Sequence, residues 1–157
     1  MAVSYIEHVR RRFPNVPPYQ WHESTDVPFA ELQKPLSEAR VALLSTGGVY
    51  LKDQQAFKPD KNDLTYRKIS KDTDPRDLLI SHDSYDHSGA KKDINSVLPY
   101  QRLQELEDEG VIGELSQQSY TLMGRIFKKT TLLDEIIPAI IGELRDEKVD
   151  AAFLVPV

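Results

Sequence analysis

The sequence predicts an α/β domain built on a mostly parallel sheet flanked by helices, and three apolar runs carry that prediction. Val41-Ala42-Leu43-Leu44 and Ala151-Ala152-Phe153-Leu154-Val155 are short and unbroken by polar residues, the pattern of strands buried on both faces. Leu78-Leu79-Ile80 is the third, and it breaks off into Ser81-His82-Asp83-Ser84-Tyr85-Asp86-His87-Ser88-Gly89-Ala90. In open α/β sheets the loops leaving the carboxyl ends of such strands line the ligand crevice. Two of the chain's four histidines fall in that one loop. The architecture is therefore read as a single Rossmann-like domain whose strand order is left open.

Size and composition agree with this. A chain of 157 residues, 39% apolar and 29% charged, has enough material for one domain with its own core. A net charge of -5 argues against a nucleic-acid partner, which calls for a basic face. The run Arg10-Arg11-Arg12 has Glu7 and Glu23 nearby and reads as a solvated helix end. No apolar stretch is long enough to cross a bilayer, so no membrane is expected. The first residues lack the basic-then-apolar layout of a signal peptide, and a cytoplasmic location is expected. Cysteine is absent, which excludes disulfides, thiolate metal sites and thiol chemistry within these residues.

Taken in order, Ser4-Tyr5-Ile6-Glu7 has the form of a capping box, with Ile6, Val9 and Phe13 at helical spacing before Pro14 ends the helix. Pro17, Pro18, Pro28 and Pro35 follow, with Tyr19-Gln20-Trp21-His22 among them. Residues 1–37 are thus expected to be an N-terminal helix and proline-rich arm, packed along the domain by its aromatics or docked on a partner subunit. Residues 38–157 are expected to be the α/β domain, with truncation at its C-terminal end left open. After the first strand comes Ser45-Thr46-Gly47-Gly48-Val49-Tyr50, where paired glycines permit a tight turn or a close approach of backbone to ligand. The spacing matches neither G-x-G-x-x-G nor a P-loop. Thr65-Tyr66-Arg67-Lys68-Ile69 suits a strand, and Asp74-Pro75 a turn. Pro99 suits the first position of a helix with Leu103 and Leu106 on its apolar face, which Gly110 ends. Thr131-Leu132-Leu133-Asp134 suits the capped opening of a helix with a wide stripe from Leu133 to Leu144, kinked or bounded at Pro138.

The chemistry-bearing residues are His82, Asp83, Asp86 and His87. On their types alone they allow a metal site, since imidazole and carboxylate suit zinc or iron. The five-residue spacing of the histidines does not suit one helical face, and it is not H-E-x-x-H. A hydrogen-bonded loop in which the histidines hold backbone groups is an equal reading. His8 and His22 read as surface or packing residues. The last apolar strand, with no further element after it in this sequence, would leave a parallel sheet without the loop that carries function and the helix that covers it.

The residues also resemble a family. Ala42 to Tyr50, Ile80 to Ala90 with Asp93-Ile94-Asn95, the Leu115 to Gly124 region and Val149 to Val157 are similar to the selenoprotein B subunits of the glycine, sarcosine, betaine and D-proline reductases. The resemblance covers most of the chain from Val41 onward, and the His-Asp motif is its most specific part. It implies that the strand ending at Val157 runs into a redox motif holding selenocysteine or cysteine. This chain would then be cut short at the selenocysteine codon, or ended there by design, and be inert by itself. Selenols ionise at neutral pH and are activated nucleophiles, whereas thiols need help from their surroundings. The implied reaction is reductive cleavage of a C–N bond at the α-carbon of an amino acid or related amine. Reducing equivalents would come from a thioredoxin-like protein, other reductase subunits would be partners, and a pyruvoyl group would belong to one of them. A homo-oligomer is compatible with the sequence.

In the complete protein the resemblance gives His82 and His87 the roles of proton donors or electrostatic supports, and Asp83 and Asp86 those of orienting groups or ammonium ligands. Gly47 and Gly48 would let backbone amides approach a substrate carboxylate, with Ser45 and Tyr50 as weaker candidates. Two rival readings remain: a non-catalytic binding or assembly module of the same fold, and a metal-dependent hydrolase built on the His82–His87 cluster. No metal is assigned.

Overall fold

A computed structural model describes residues 5–12, 14–15, 25–58, 62–82 and 85–157. The chain divides into two compact units, Met1–Glu31 and Leu32–Val157. The first contains helix α1 (Tyr5–Arg12), with Glu7 in its first turn and Arg10, Arg11 and Arg12 in its last, each sign placed where the helix dipole favours it. Ser4 of the expected capping box, Phe13 and the Tyr19-Gln20-Trp21-His22 group lie outside the described residues.

The second unit is an α/β fold. Its main sheet is organised on β1 (Arg40–Ser45), which is paired along both edges. On one side run β5 (Glu114–Leu115) and β6 (Gln118–Thr121), both parallel to β1 and separated by Ser116 and Gln117. On the other side runs β7 (Ala151–Val155), also parallel, with Leu43 opposite Phe153 and Leu44 opposite Leu154. Strand β3 (Arg67–Ser70) closes the far side by pairing antiparallel with β6. Three of these four pairings are parallel, so the predicted mostly parallel sheet is present.

The third apolar run is placed differently. β4 (Leu78–Ile80) pairs antiparallel with β2 (Val49–Leu51) in a separate two-stranded sheet, and no described residue brings it into the main one. Its burial shows why the parallel expectation fails. Leu78 and Ile80 pack into the core while Leu79 between them stays 44% exposed, the one-sided alternation of an antiparallel strand. A run of three apolar residues does not separate the two cases.

Alternation along β1 splits the core between the two faces of the sheet. Val41 and Leu43 join Leu98, Tyr100, Leu103 and Leu115 on one face. Leu44 joins Tyr120, Leu122 and Ile140 on the other. The first face is covered by α3 (Tyr100–Asp108), entered through Pro99 as N-cap, one position before the one predicted. It ends as predicted at Gly110, whose φ of 70° suits a residue without Cβ. Gly110 N–H donates to Glu107 O and Val111 N–H to Leu106 O, a Schellman pair.

The second face is covered by α4 (Lys129–Thr131), which passes through a π-helical stretch, Leu132–Ile136, into α5 (Ile137–Asp146). Thr131 does not cap this helix, contrary to the sequence reading. The opening is held from elsewhere: Asn62 Oδ1 accepts from Lys128 N–H at 3.1 Å and also from Phe127 N–H. The π-helical turns stand just before Pro138, which has no N–H for the Asp134 carbonyl and whose ring would crowd it in an α-turn. Ile137 N–H reaches back to Leu132 O instead. Proline thus widens the helix rather than ending it.

α5 stops in a second Schellman pair, with Lys148 N–H on Arg145 O and Val149 N–H on Leu144 O. Here the left-handed position is filled by Lys148 at φ 57°. Lys148→Gly is therefore expected to raise stability by about 0.5–1 kcal/mol, read as a higher urea midpoint at unchanged slope.

Candidate functional site

The carboxyl ends of β1 and β7 lie side by side, and from β1 the sheet extends through β5 and β6 in one direction and through β7 in the other. That reversal is the place where open α/β sheets hold their ligands. Three segments far apart in sequence meet there.

The first is the loop Ser45–Gly48. Ser45 is buried, and its hydroxyl donates to Val97 O at 2.5 Å and accepts Gly47 N–H at 3.0 Å, so it shapes the loop from inside. Thr46 N–H donates to Val155 O at 3.1 Å. The second segment is Val155-Pro156-Val157, where Val157 N–H donates to Thr46 Oγ1 at 2.8 Å. The third is the loop after β4. Ser81 N–H donates to Gly48 O at 2.9 Å, and Gly48 N–H in turn donates to Leu122 O at 2.8 Å. Although β4 lies outside the main sheet, these two bonds bring the histidine loop to the end of β1.

Within that loop Tyr85 is central. Its hydroxyl donates to Gly47 O at 2.9 Å. Its ring lies between the two imidazoles, with centroids 4.9 Å from His82 and 4.6 Å from His87. Partial burial pushes the Tyr85 phenol above its ordinary pKa, so it stays a neutral donor through the physiological range. His82 is 6% exposed. His87 Nε2 is buried and has no hydrogen-bond partner among the described residues. Asp86 turns outward: its carboxylate accepts Ser88 N–H at 2.9 Å and Ser88 Oγ–H at 2.8 Å, opening α2 (Ser88–Lys92). Those bonds hold its carboxyl below the usual range. Asp83 lies outside the described residues.

The glycines serve close approach, and the groups that approach are the chain's own. A Cβ on Gly47 would stand 3.1 Å from Val97 Cβ and 3.5 Å from Val157 Cγ2. One on Gly48, at φ 68°, would stand 2.5 Å from Ser81 O and 3.2 Å from His82 Cβ. Tyr50 is set apart from this loop; it lies opposite Leu79 and lines a separate groove with Leu78, Leu79 and Ile80. Beside Thr46 the crevice opens into a cavity of about 370 Å³ walled by Leu44, Leu122, Ile137, Leu154 and Pro156. Among the described residues no group of three or more histidine and carboxylate side chains is placed to hold a metal.

Of the predicted residues, Ser45, Gly47, Gly48, His82 and His87 are therefore brought together, while Asp86 and Tyr50 face elsewhere. Sequence reasoning passed over Thr46 and Tyr85. The position of Tyr85 between two nearby histidines was the available signal. Nothing local marks Thr46, whose partner Val157 is distant in sequence.

The switch point of this α/β sheet thus gathers a buried imidazole, a half-buried one and a phenol near a largely apolar cavity, the position at which folds of the doubly wound class hold small ligands. The chain belongs to the glycine/sarcosine/betaine reductase selenoprotein B family, whose model matches residues 15–156. It is 31% identical over 141 residues to the D-proline reductase subunit gamma of Acetoanaerobium sticklandii, a match that takes in 90% of this chain and 54% of that protein. It is 30% identical over 125 residues to the glycine reductase complex component B subunit gamma of Carboxydothermus hydrogenoformans, covering 77% of this chain and 28% of that one. The corresponding subunit of Symbiobacterium thermophilum is 33% identical over 95 residues, 58% of this chain and 22% of its own. The chain thus spans about half the first relative and less than a third of the other two. No solved structure matches it. Among the described residues no helix is long and apolar enough to cross a membrane.

Proposed function

We propose that this chain forms the substrate-facing part of a selenoprotein-B-type reductase subunit acting on the C–N bond of an amino acid or related amine. The observation that carries the reading is the meeting of Thr46–Gly48, the His82–His87 loop and Val155–Val157 at one end of the sheet. A selenocysteine or cysteine following Val157 would supply the nucleophile, and without it the chain is inert toward this reaction. Its place is compatible with the residues present: Thr46 anchors the backbone at Val157, and the buried His87 Nε2 retains hydrogen-bonding capacity.

The chain's own residues then do three things. His82 and His87 donate a proton to the leaving amine and support negative charge, the general-acid and electrostatic roles open to imidazole. Tyr85 holds both rings and the Gly47 carbonyl in place. The apolar walls around Leu44 and Ile137 exclude water and take the substrate's carbon skeleton. Other reductase subunits, one of them bearing a pyruvoyl group where the amine needs activation, and a thioredoxin-like reductant complete the system in the cytoplasm.

The test is the gene downstream of codon 157 together with the intact mass of the native protein. An in-frame UGA followed by cysteine-containing sequence, with a longer selenium-bearing product, is expected. A UAA or UAG stop with a native mass matching 157 residues removes the reading. In the longer protein His82→Gln and His87→Gln should each lower kcat by about 10²-fold or more, with far-UV circular dichroism unchanged. Full activity in both would remove their assigned roles.

A further inference from the structure

β4 is a strand with a second edge. Tyr50 and Leu79 face each other in the β2–β4 ladder, with Ser81 N–H on Gly48 O at one end and Lys52 N–H on Asp77 O at the other. Alternation then turns the main-chain groups of Leu78 and Ile80 away from β2. Leu78 N–H is used on Pro75 O. Leu78 C=O, Ile80 N–H and Ile80 C=O have no backbone partner among the described residues.

These groups border a groove of about 540 Å³ whose near side is Leu78, Leu79 and Ile80, with Tyr50 beside them and α2 as the opposite wall. In a protein of net charge -5 this groove reverses the sign, because Arg76, Lys91 and Lys92 line it against the single carboxylate of Asp93. Arg76 is held by Asp74 at 2.5 Å. Asp93 is occupied by the backbone and side-chain amides of Asn95. Lys91 and Lys92 are exposed and form no ion pair among the described residues.

We infer that this groove receives an extended, acidic segment of a partner polypeptide, which adds as a strand to the open edge of β4 and sets its carboxylates against Lys91 and Lys92. Strand addition uses the main-chain groups for affinity and alternate side chains for specificity. One side chain in two then lies over the exposed Leu79 and the half-buried Tyr50, which asks for an apolar residue there, and those between meet the lysines. A small anion would satisfy the lysines and leave Leu79 and the Ile80 amide uncovered. The groove shares no lining residue with the cavity beside Thr46, so this inference stands apart from the proposed reaction.

The probe is a labelled, end-blocked peptide, Glu-Val-Glu-Val-Glu, titrated into the 157-residue chain and followed by amide chemical shifts and hydrogen exchange. Shifts confined to residues 78–81 and 90–93, with slowed exchange at Ile80, are expected. Methylating the three central backbone nitrogens of the peptide, which covers either strand direction, should weaken binding about tenfold, as should Lys91→Glu with Lys92→Glu, checked as folded by its thermal melt. The charge-inverted Lys-Val-Lys-Val-Lys should not bind. Equal binding of the N-methylated peptide would reduce the effect to charge adhesion and overturn strand addition. Equal binding to the lysine double variant, shifts elsewhere on the surface, an Ile80 amide already protected in the free chain, or no binding up to about 1 mM would each overturn the proposal.

Discussion

Gly48→Ala is expected to cost about 2–4 kcal/mol of stability, a fall in Tm of roughly 5–15 °C for a chain of this size. Two effects add. At φ 68° any side chain pays for a left-handed backbone, about 1–2 kcal/mol. The new Cβ would also stand 2.5 Å from Ser81 O and 3.1 Å from Ser81 C, atoms of a strand end that cannot swing aside as a flexible side chain would. Relief requires parting Gly48 from Ser81, and with it the 2.9 Å bond from Ser81 N–H to Gly48 O. His82 follows Ser81 directly, so the substitution should also move the His82 ring resonances. Gly89→Ala is the control, because nothing lies within 4 Å of its Cβ position and the site is in helix α2. There alanine should be neutral or stabilising by up to about 1 kcal/mol. Equal melts for the two variants would mean that the turn at Gly48 tolerates a side chain and does not fix the histidine loop.

Glu143→Leu should cost about 2–3 kcal/mol, because it removes the one acceptor shared by three donors. Tyr66 OH donates to Glu143 Oε1 at 2.6 Å; Tyr120 OH and Lys68 Nζ donate to Oε2 at 3.1 and 2.9 Å. Tyr120 is fully buried, so its hydroxyl would be stranded away from water, the costly half of a broken hydrogen bond. The Lys68 pair is half exposed and adds little. This cluster pins α5 to β3 and β6, and its loss should loosen the face that carries Leu44 and Leu122. Tyr120→Phe, which removes donor and need together, should cost less than half as much.

The same carboxylate gives a pH signature. The hydrogen bond from Tyr66 does most to hold the Glu143 carboxyl below its ordinary value of 4.5; burial opposes it, and Lys68 and Tyr120 reinforce the lowering. A folded-state pKa below the unfolded one means that the stabilisation is fully present above about pH 4.5 and is lost as pH falls through the folded value. The stability gap between the parent chain and Glu143→Gln should therefore be constant at neutral pH and shrink below about pH 4. A gap that persists unchanged to pH 3 would place the effect in packing rather than in the carboxylate.

Much of this molecule was legible in its residues. Apolar runs at Val41–Leu44 and Ala151–Val155 announced parallel strands, but burial on two faces explains only the first; among the described residues the second pairs with β1 alone and leaves Phe153 49% and Leu154 65% exposed. Gly110 announced a helix end because it alone accepts the left-handed backbone there without a Cβ penalty. The His82–His87 loop and the Gly47-Gly48 turn stood out as candidate site segments by composition, and the family was recognisable from the same residues. Selection of partners was not legible. Leu78–Ile80 looks like the other two runs, and only the ladder to Val49–Leu51 makes it an antiparallel strand beside the main sheet. Asn62, not Thr131, caps the helix at Lys128, because a side chain from another segment reaches those amides first. Asp86 reads as part of the site but closes the turn of α2, and Tyr85 reads as loop filling but stands between both imidazoles. The residues by themselves determined the α/β class, the main strands and the family, since hydrophobic period and local backbone preference are properties of short segments. The tertiary structure alone decided that Thr46, Tyr85 and Val157 share one crevice, because contacts between distant segments depend on the closure of the whole sheet, which no window of sequence contains.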